Sequence, residues 1–594
     1  MTSAGDGRPV SGFYKDMRKP EILLTAVNTK YIHSNLALNS LRQYASEYTD
    51  CIEIAEFTIN QHRDEIVQEI YRKKPDLLAF SCYIWNITLI EECARILKLL
   101  LPDCLIWLGG PEVSFESEQF LKQNPFIDGI MQGEGEGTFR NLLKQWIGKT
   151  QEEGALKTDA DLSGIPGIVW RGAKGEIHSG RALQPRDLVP MDDLPFVYAD
   201  LAAFKNKIIY YESSRGCPFS CSYCLSSAEE GVRFRSLSRV LPELRFFLDA
   251  GVPQVKFVDR TFNCSHERTM KIWQYLAEHD NGITNFHFEI EANVLTEDEI
   301  ELISTMRPGL IQIEIGVQTA NPQTLRAVHR NPDITKIISR AGKIIAAQNI
   351  HVHLDLIAAL PYEDYNSFRC SFNTVYTAQP DELQLGFLKM LKGTRIRREA
   401  AQYGIIYEPQ APYEVLSTHV LSYDELLRIR DVEEMLEVYY NSRQFITTVK
   451  ALEKCFPDAF SMYDALARWY RQNGWMGISH SRLQRYELLR RFIAETLSAR
   501  EKSAEQGAEE QLRWDECLLK DLCLRENIKS RPDWAAPVQH DKVRAFYSQH
   551  REYQGHTHLE YFKYLRDNPV WMLFDYAKRN PLTGNAAVSE IHDL

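Results

Sequence analysis

From Glu21 onward, short apolar runs alternate with amphipathic stretches. Runs at 22–27, 51–59, 76–83, 104–108 and 127–131 each end in a polar or glycine-rich loop. Helical periodicity fills the gaps. Ser34 is placed to cap a helix carrying Leu36, Leu38, Leu41 and Tyr44, and further helical patterns pass through Ile66 and Ile70, Leu99, and Leu143. Strands alternating with helices predict a flavodoxin-like, doubly wound parallel sheet over 21–148, placing the chain in the α/β class. Ligands on such sheets bind at the strand carboxyl ends. Those ends carry Gly109-Gly110-Pro111 and Gly133-Glu134-Gly135-Glu136.

Glycine and proline then punctuate 149–203, which reads as a linker containing a hairpin (167–171 with 175–179). A second βα series follows. Its strands fall at 208–212, 254–259, 285–291, 310–317, 351–356 and 382–388. Helical patterns separate them at 237–248, 267–277, 297–306, 322–328, 335–347 and 365–377. This predicts a partial, TIM-like (β/α)6 barrel over 204–400, with functional groups at strand carboxyl ends. The strand signal fades after Thr394. The region 401–594 reads as a mainly helical domain, with amphipathic patterns at 422–439, 461–472, 480–499 and 559–567 and a solvated linker or helix end at 501–510. Residues 1–20 lack an apolar secretory core and read as a flexible N-terminus.

Composition adds exclusions. The 594 residues are 44% hydrophobic and 25% charged, which argues against wholesale disorder. A formal charge of -12 argues against a duplex nucleic-acid substrate. The longest apolar candidate, 77–90, is interrupted by Ser81 and Asn86 and reads as a strand and turn, so no membrane span is expected and the cytoplasm is the expected compartment. Of 12 cysteines, those at 51, 82, 93, 104, 264, 370, 455, 517 and 523 are scattered and read mostly as small buried residues.

The other three stand together. Cys217, Cys221 and Cys224 form C-x3-C-x2-C in the loop after the first barrel strand. Thiolates suit zinc and iron–sulfur clusters. A closed Cys3His zinc site needs a nearby histidine, and 180–265 contains none; a thioredoxin-type reading leaves Cys217 unexplained. Three cysteines on a four-iron cluster leave one iron open to an outside ligand.

This segment resembles the C-x3-C-x-aromatic-C signature of the radical S-adenosylmethionine (radical SAM) superfamily, with Tyr223 as the aromatic. The resemblance implies a [4Fe-4S] cluster whose open iron is chelated by S-adenosylmethionine, and reductive cleavage to a 5′-deoxyadenosyl radical. Further matches lie at the barrel's strand ends: Asp259 in a D-x-x-F-N-like loop, Glu289 and Glu291 after the third strand, Gln318 and Thr319 in a G-x-Q-S/T-like segment. With Tyr223, these are the expected nucleoside contacts. The segment 355–361 resembles D-L-I-x-G-L-P, with Ala359 replacing glycine.

The N-terminal sheet resembles the cobalamin-binding domain found before the barrel in cobalamin-dependent radical SAM enzymes. That resemblance implies corrinoid contacts from Tyr83, Trp85, Asn86, Gly109, Gly110, Gly133 and Glu134. No D-x-H-x-x-G motif supplies a histidine to cobalt, and His33 reads as a loop histidine. The implied activity is methyl transfer to an unactivated centre. The alternatives are a non-methylating rearrangement or cyclisation, and a non-catalytic corrinoid or iron–sulfur protein. The implied partners are an unknown substrate and an electron donor such as flavodoxin or ferredoxin. The helical tail resembles an uncharacterised extension, expected to cover the open barrel.

Overall fold

The computed structural model describes residues 20–147, 161–228, 231–497, 504–528 and 531–592. The expected flexible N-terminus therefore lies, apart from Pro20, outside the described residues. Strands β1 (Ile22–Asn28), β2 (Ile52–Thr58), β3 (Leu77–Ser81), β4 (Leu105–Gly109) and β5 (Gly129–Met131) run parallel in the order β2-β1-β3-β4-β5. That is the flavodoxin-like order. Every residue of β1 is buried, as a central strand covered by helices on both faces must be. The first helix begins at Leu36, so Asn35 rather than Ser34 caps it, accepting from the Leu38 amide at 3.0 Å. Ser34 instead donates to the Ile208 carbonyl, tying this sheet to the next domain.

The hairpin of β6 (Ile168–Arg171) and β7 (Ile177–Ser179) does not stand alone in a linker. It pairs antiparallel with β5 and completes a seven-stranded sheet, covering what would be an open edge.

The second sheet contains β8 (Ile209–Tyr211), followed outside the sheet by the short ribbon β9 (Ser214–Gly216) and β10 (Val232–Phe234). It continues with β11 (Gln254–Phe257), β12 (Asn285–Ile290), β13 (Ile311–Gln318), β14 (His351–Ala358) and β15 (Glu382–Phe387). Its order is β15-β14-β13-β12-β11-β8, all parallel, an open six-stranded barrel sheet. Alternation along β13 buries Ile311, Ile313, Ile315 and Val317 against the outer helices and turns Gln312, Glu314, Gly316 and Gln318 to the opposite, lumenal face. The lumen is consequently polar: Lys256, His287, Glu314, His353 and Asp355 meet there. Ala359 has φ 68°, in the left-handed region that favours glycine.

The C-terminal region is mainly helical, as expected, and it shares one continuous apolar core with the barrel. Leu426, Ile429, Val432 and Met435 of the helix Tyr423–Leu436 join Phe372, Val375, Leu383 and Leu385 in it. Asn441, in the π-turn after that helix, accepts from the Leu383 amide and donates to the Leu383 carbonyl, both at 3.0 Å. This satisfies the Leu383 backbone at the open edge of β15. After the two-residue pairing of β16 (Ile406–Tyr407) with β17 (Val415–Ser417), the chain ends in an antiparallel sheet of β18 (Thr557–Phe562), β19 (Val570–Arg579) and β20 (Ala586–Ile591). The expected helix at 559–567 is thus a strand to Phe562 followed by bends. Leu559, Phe562 and Leu565 mimic helical spacing, but Leu559 and Phe562 face different clusters across the strand. Of the two readings of 501–510, a linker or a helix end, the structure has a helix end: from Ala504 it begins the long helix Ala504–Arg525.

Candidate functional site

The three cysteines occupy the loop between β9 and β10, whose antiparallel pairing closes its base through Gly216 opposite Val232. Gly216 has φ +94°, and a Cβ there would lie 2.1 Å from the Gly231 carbonyl oxygen, so only glycine permits this closure. The loop backbone is fixed without using the sulfurs. The Ser222 amide donates to Val328, and the Ser222 carbonyl accepts from Ile396. Cys217, Cys221 and Cys224 are half-buried free thiols, and Cys217 Sγ lies 3.4 Å from Thr261 Oγ1. Burial pushes the Cys221 thiol up, opposed by the nearby Arg330 guanidinium. Three free, partly exposed thiols on a loop anchored elsewhere fit a cuboidal cluster with one iron left open. Cys264 lies near Cys217 but belongs to the short 3-10 turn after β11, not to the cysteine loop.

The strand-end residues separate into two sets. Asp259 is fully buried and its carboxylate is consumed: it accepts from the Ser213 amide (2.8 Å), the Ser213 hydroxyl (2.6 Å) and the Ser214 hydroxyl (2.6 Å). These bonds tie the end of β11 to the path into the cysteine loop. Thr319 is likewise enclosed, donating to Glu363 at 2.6 Å beside Ser371. In this structure both side chains are enclosed by internal partners.

Glu289, Glu291, Gln318 and Tyr223 remain at the lumen. Burial, then the neighbouring Glu314 charge, pushes the Glu289 carboxyl up to about 7. The Gln318 Oε1 is buried without a hydrogen-bond partner, at a residue with φ 71° beside a bulge in β13. A Cβ at Gly316 would strike the Gln318 amide nitrogen at 2.2 Å. An orphan acceptor held this way is what a polar ligand would satisfy.

Arg330 has no motif around it and went unread in the sequence. Its guanidinium donates to Tyr223 (3.2 Å), Glu291 (2.8 Å) and the Gly316 carbonyl (2.9 Å), joining the cysteine loop to the ends of β12 and β13. Deeper in the lumen, Glu314 accepts from His287 at 3.1 Å and pairs with Lys256 at 3.4 Å. Burial opposes ionisation of Glu314, but the His287 hydrogen bond and the Lys256 and His353 charges outweigh it and hold the carboxyl at about 2.

Between the two sheets lies a cavity of about 620 Å³. The N-terminal domain contributes His33, Tyr83, Trp85, Glu134 and Glu136 to its walls, and the barrel domain contributes Tyr210, Glu212, Arg215 and Arg260. Tyr83 and Trp85 stack with ring centroids 4.4 Å apart, forming a flat aromatic floor. A second, narrower pocket of about 100 Å³ lies at the sheet's carboxyl end, sharing Tyr83 and Glu136 with the cavity and lined by Leu38, Leu41, Gly109, Gly110, Gly133 and Gly135. A Cβ at Gly110, where φ is +107°, would lie 2.5 Å from the Cys82 carbonyl oxygen. A broad, flat chamber with a glycine-lined slot suits a corrin ring with its nucleotide tail.

Asn86 is corrected. It is buried, accepts from the Tyr83 amide at 2.7 Å and donates to the Val27 and Ser81 carbonyls, each at 3.0 Å, so it staples the loop that presents Tyr83 and Trp85. His33 contacts the Tyr210 hydroxyl at 2.5 Å across the domain boundary. Arg215, two residues before Cys217, donates to Glu134 (2.7 Å), Glu136 (2.7 Å) and Glu212 (2.9 Å). Glu134 is also paired with Arg233. The glycine-rich loop of one domain is thereby clamped to the cysteine loop of the other.

Comparison with known proteins matches these regions in the same order. Residues 22–143 match the B12 binding domain, 211–373 the radical SAM superfamily, and 401–570 a protein family of unknown function, DUF4080. The cobalamin-dependent radical SAM methyltransferase TokK of Streptomyces tokunonensis is 26% identical over 57% of this chain and 51% of its own length. The anaerobic magnesium-protoporphyrin IX monomethyl ester cyclase of Rubrivivax gelatinosus is 24% identical over 57% of this chain and 60% of its own. These matches thus take in only about half to three-fifths of the relatives' length. The cobalamin-dependent radical enzyme OxsB with aqua-cobalamin bound shares the fold with a TM-score of 0.55 at 17% identity, over 89% of this chain and 84% of that one. The chain is accordingly a B12-binding domain joined to a radical SAM domain and followed by a DUF4080 extension.

Proposed function

We propose that the protein is a cobalamin-dependent radical SAM enzyme that transfers a methyl group to an unactivated centre. The carrying observation is the cavity whose walls come from the glycine-lined end of one domain and the cysteine-loop end of the other. When bound, a [4Fe-4S] cluster, S-adenosylmethionine and cobalamin supply one-electron cleavage chemistry and a methyl carrier.

This chain's residues would do the rest. Cys217, Cys221 and Cys224 would hold the cluster, with Thr261 beside the first sulfur. Tyr223, Glu291 and Arg330 form one hydrogen-bonded edge next to that loop, placed to orient a nucleoside, and Gln318 offers it an unpaired amide oxygen. Glu289, poised at about 7, would hold or release a proton at its carboxyl oxygen. Tyr83 and Trp85 would support the corrin face, while Gly109, Gly110 and Gly133 admit its tail and Glu134 fixes the domain boundary. An electron donor such as flavodoxin or ferredoxin would complete the system. A reducing, cytoplasmic setting fits the free thiols. No helix among the described residues is long and apolar enough to cross a membrane.

The relatives include cyclases as well as methyltransferases, so a non-methylating outcome is the second reading. Anaerobic reconstitution with iron, sulfide and hydroxocobalamin, followed by product analysis, separates them. S-adenosylhomocysteine appearing with 5′-deoxyadenosine supports methyl transfer. 5′-Deoxyadenosine alone supports rearrangement or cyclisation. Neither product, with cluster and corrinoid in place, rejects the enzymatic reading.

A further inference from the structure

The C-terminal region carries a cluster that neither the barrel nor the cavity uses. In the run His556-Thr-His558-Leu-Glu560, the last four residues lie on β18, where a two-residue step puts His558 and Glu560 on one face. That face packs on the C-terminal part of the helix Ala504–Arg525, which presents Cys523. One ligand atom from each of Cys523, His558 and Glu560 lies within 4.8 Å of the other two. His558 Nε2 is 3.1 Å from Glu560 Oε2. Cys523 is fully buried and Glu560 nearly so, whereas His558 retains 19% side-chain exposure and gives a path from solvent.

We propose that Cys523, His558 and Glu560 form a binding site for a zinc-type divalent cation in the DUF4080 region. Thiolate, imidazole and carboxylate are the donor set zinc accepts, and three protein ligands leave a fourth tetrahedral position to water. Ligand atoms of a tetrahedral zinc site sit roughly 3–4 Å apart, so small rotamer adjustments suffice. Arg531 donates to both Glu560 oxygens, at 2.6 and 3.1 Å. It orients the carboxylate from behind, as outer partners of metal ligands do, and its charge balances Glu560 when no cation is bound. An ordinary cysteine side chain is mainly in the thiol form at neutral pH, so the sulfur enters protonated. Binding then forms a sulfur–metal bond, breaks the S–H bond and releases that proton to solvent, without oxidation or reduction.

The test uses the full chain with its iron–sulfur cluster reconstituted, so that Cys217, Cys221 and Cys224 do not compete. Zinc is titrated against a chromophoric chelator in the wild type, Cys523→Ser and His558→Gln. The expected result is one zinc per chain with about one proton released. Affinity should fall at least tenfold in His558→Gln, whose partly exposed position spares the core, and further in Cys523→Ser. Zinc should raise the unfolding temperature of the wild type alone. Equal zinc binding by all three proteins, or none by the wild type, would overturn the proposal.

Discussion

Replacing Arg215 by alanine removes the guanidinium that joins Glu134, Glu136 and Glu212 across the domain boundary. All four side chains are largely buried, and Glu136 retains only 6% exposure. Removing one partner of a buried ion pair costs about 3–5 kcal/mol, because the remaining carboxylates stay desolvated and unpaired. Glu134 keeps Arg233, so the lower end of that range is expected. Burial pushes the Glu136 carboxyl up, but Arg215 outweighs it and holds the carboxyl below its ordinary value of 4.5. The pairing therefore stabilises the fold above that value and is lost as pH falls through the lowered one. Arg215→Ala should lower stability by about 3 kcal/mol at pH 7 and narrow the gap to wild type on acidification. A double-mutant cycle with Glu136→Gln, read by chemical denaturation, should give a coupling of roughly 1–3 kcal/mol. The same variant should bind hydroxocobalamin more weakly while keeping its cluster iron content. A coupling below about 0.5 kcal/mol with unchanged cobalamin affinity would refute the clamp.

Asn441→Ala should cost about 1–3 kcal/mol, because it leaves the Leu383 amide and carbonyl at the barrel edge unpaired; thermal unfolding and aggregation rate measure it. Gly110→Ala should abolish cobalamin retention on gel filtration and destabilise the N-terminal domain by at least 1–2 kcal/mol, since the position has φ +107° and no room for a Cβ. Glu289 is raised to about 7, so its neutral form favours the fold below the ordinary 4.5 and that stability is lost as pH rises towards 7. Glu289→Gln should flatten this fall, worth on the order of 3 kcal/mol, in denaturation curves taken across that window.

Both α/β units were legible because parallel sheets write themselves as apolar runs separated by helical periodicity, and the cysteine spacing marked the loop that matters. What lay beyond reach was the direction of individual side chains at strand ends. Asp259 and Thr319 occupy motif positions, yet hydroxyls of Ser213 and Ser214 and the Glu363 carboxylate consume them, a tertiary pairing across 44 to 46 residues. Asn86 sits in the correct loop but turns inward to hold its backbone. Arg215 and Arg330 were invisible for the converse reason: isolated arginines acquire meaning only when several distant strand ends converge on them. At the C-terminus, Leu559, Phe562 and Leu565 match a helical stripe as well as a strand, and only the partner strands decide between them.

The central claim is that three protein sulfurs leave one iron open to S-adenosylmethionine. Electron paramagnetic resonance of the anaerobically reconstituted, reduced protein, before and after adding S-adenosylmethionine, tests it most directly. A [4Fe-4S] signal that shifts on addition, and that is lost when Cys217, Cys221 and Cys224 are each replaced by alanine, is the predicted result. A signal indifferent to S-adenosylmethionine, or a cluster that survives loss of those cysteines, would contradict it.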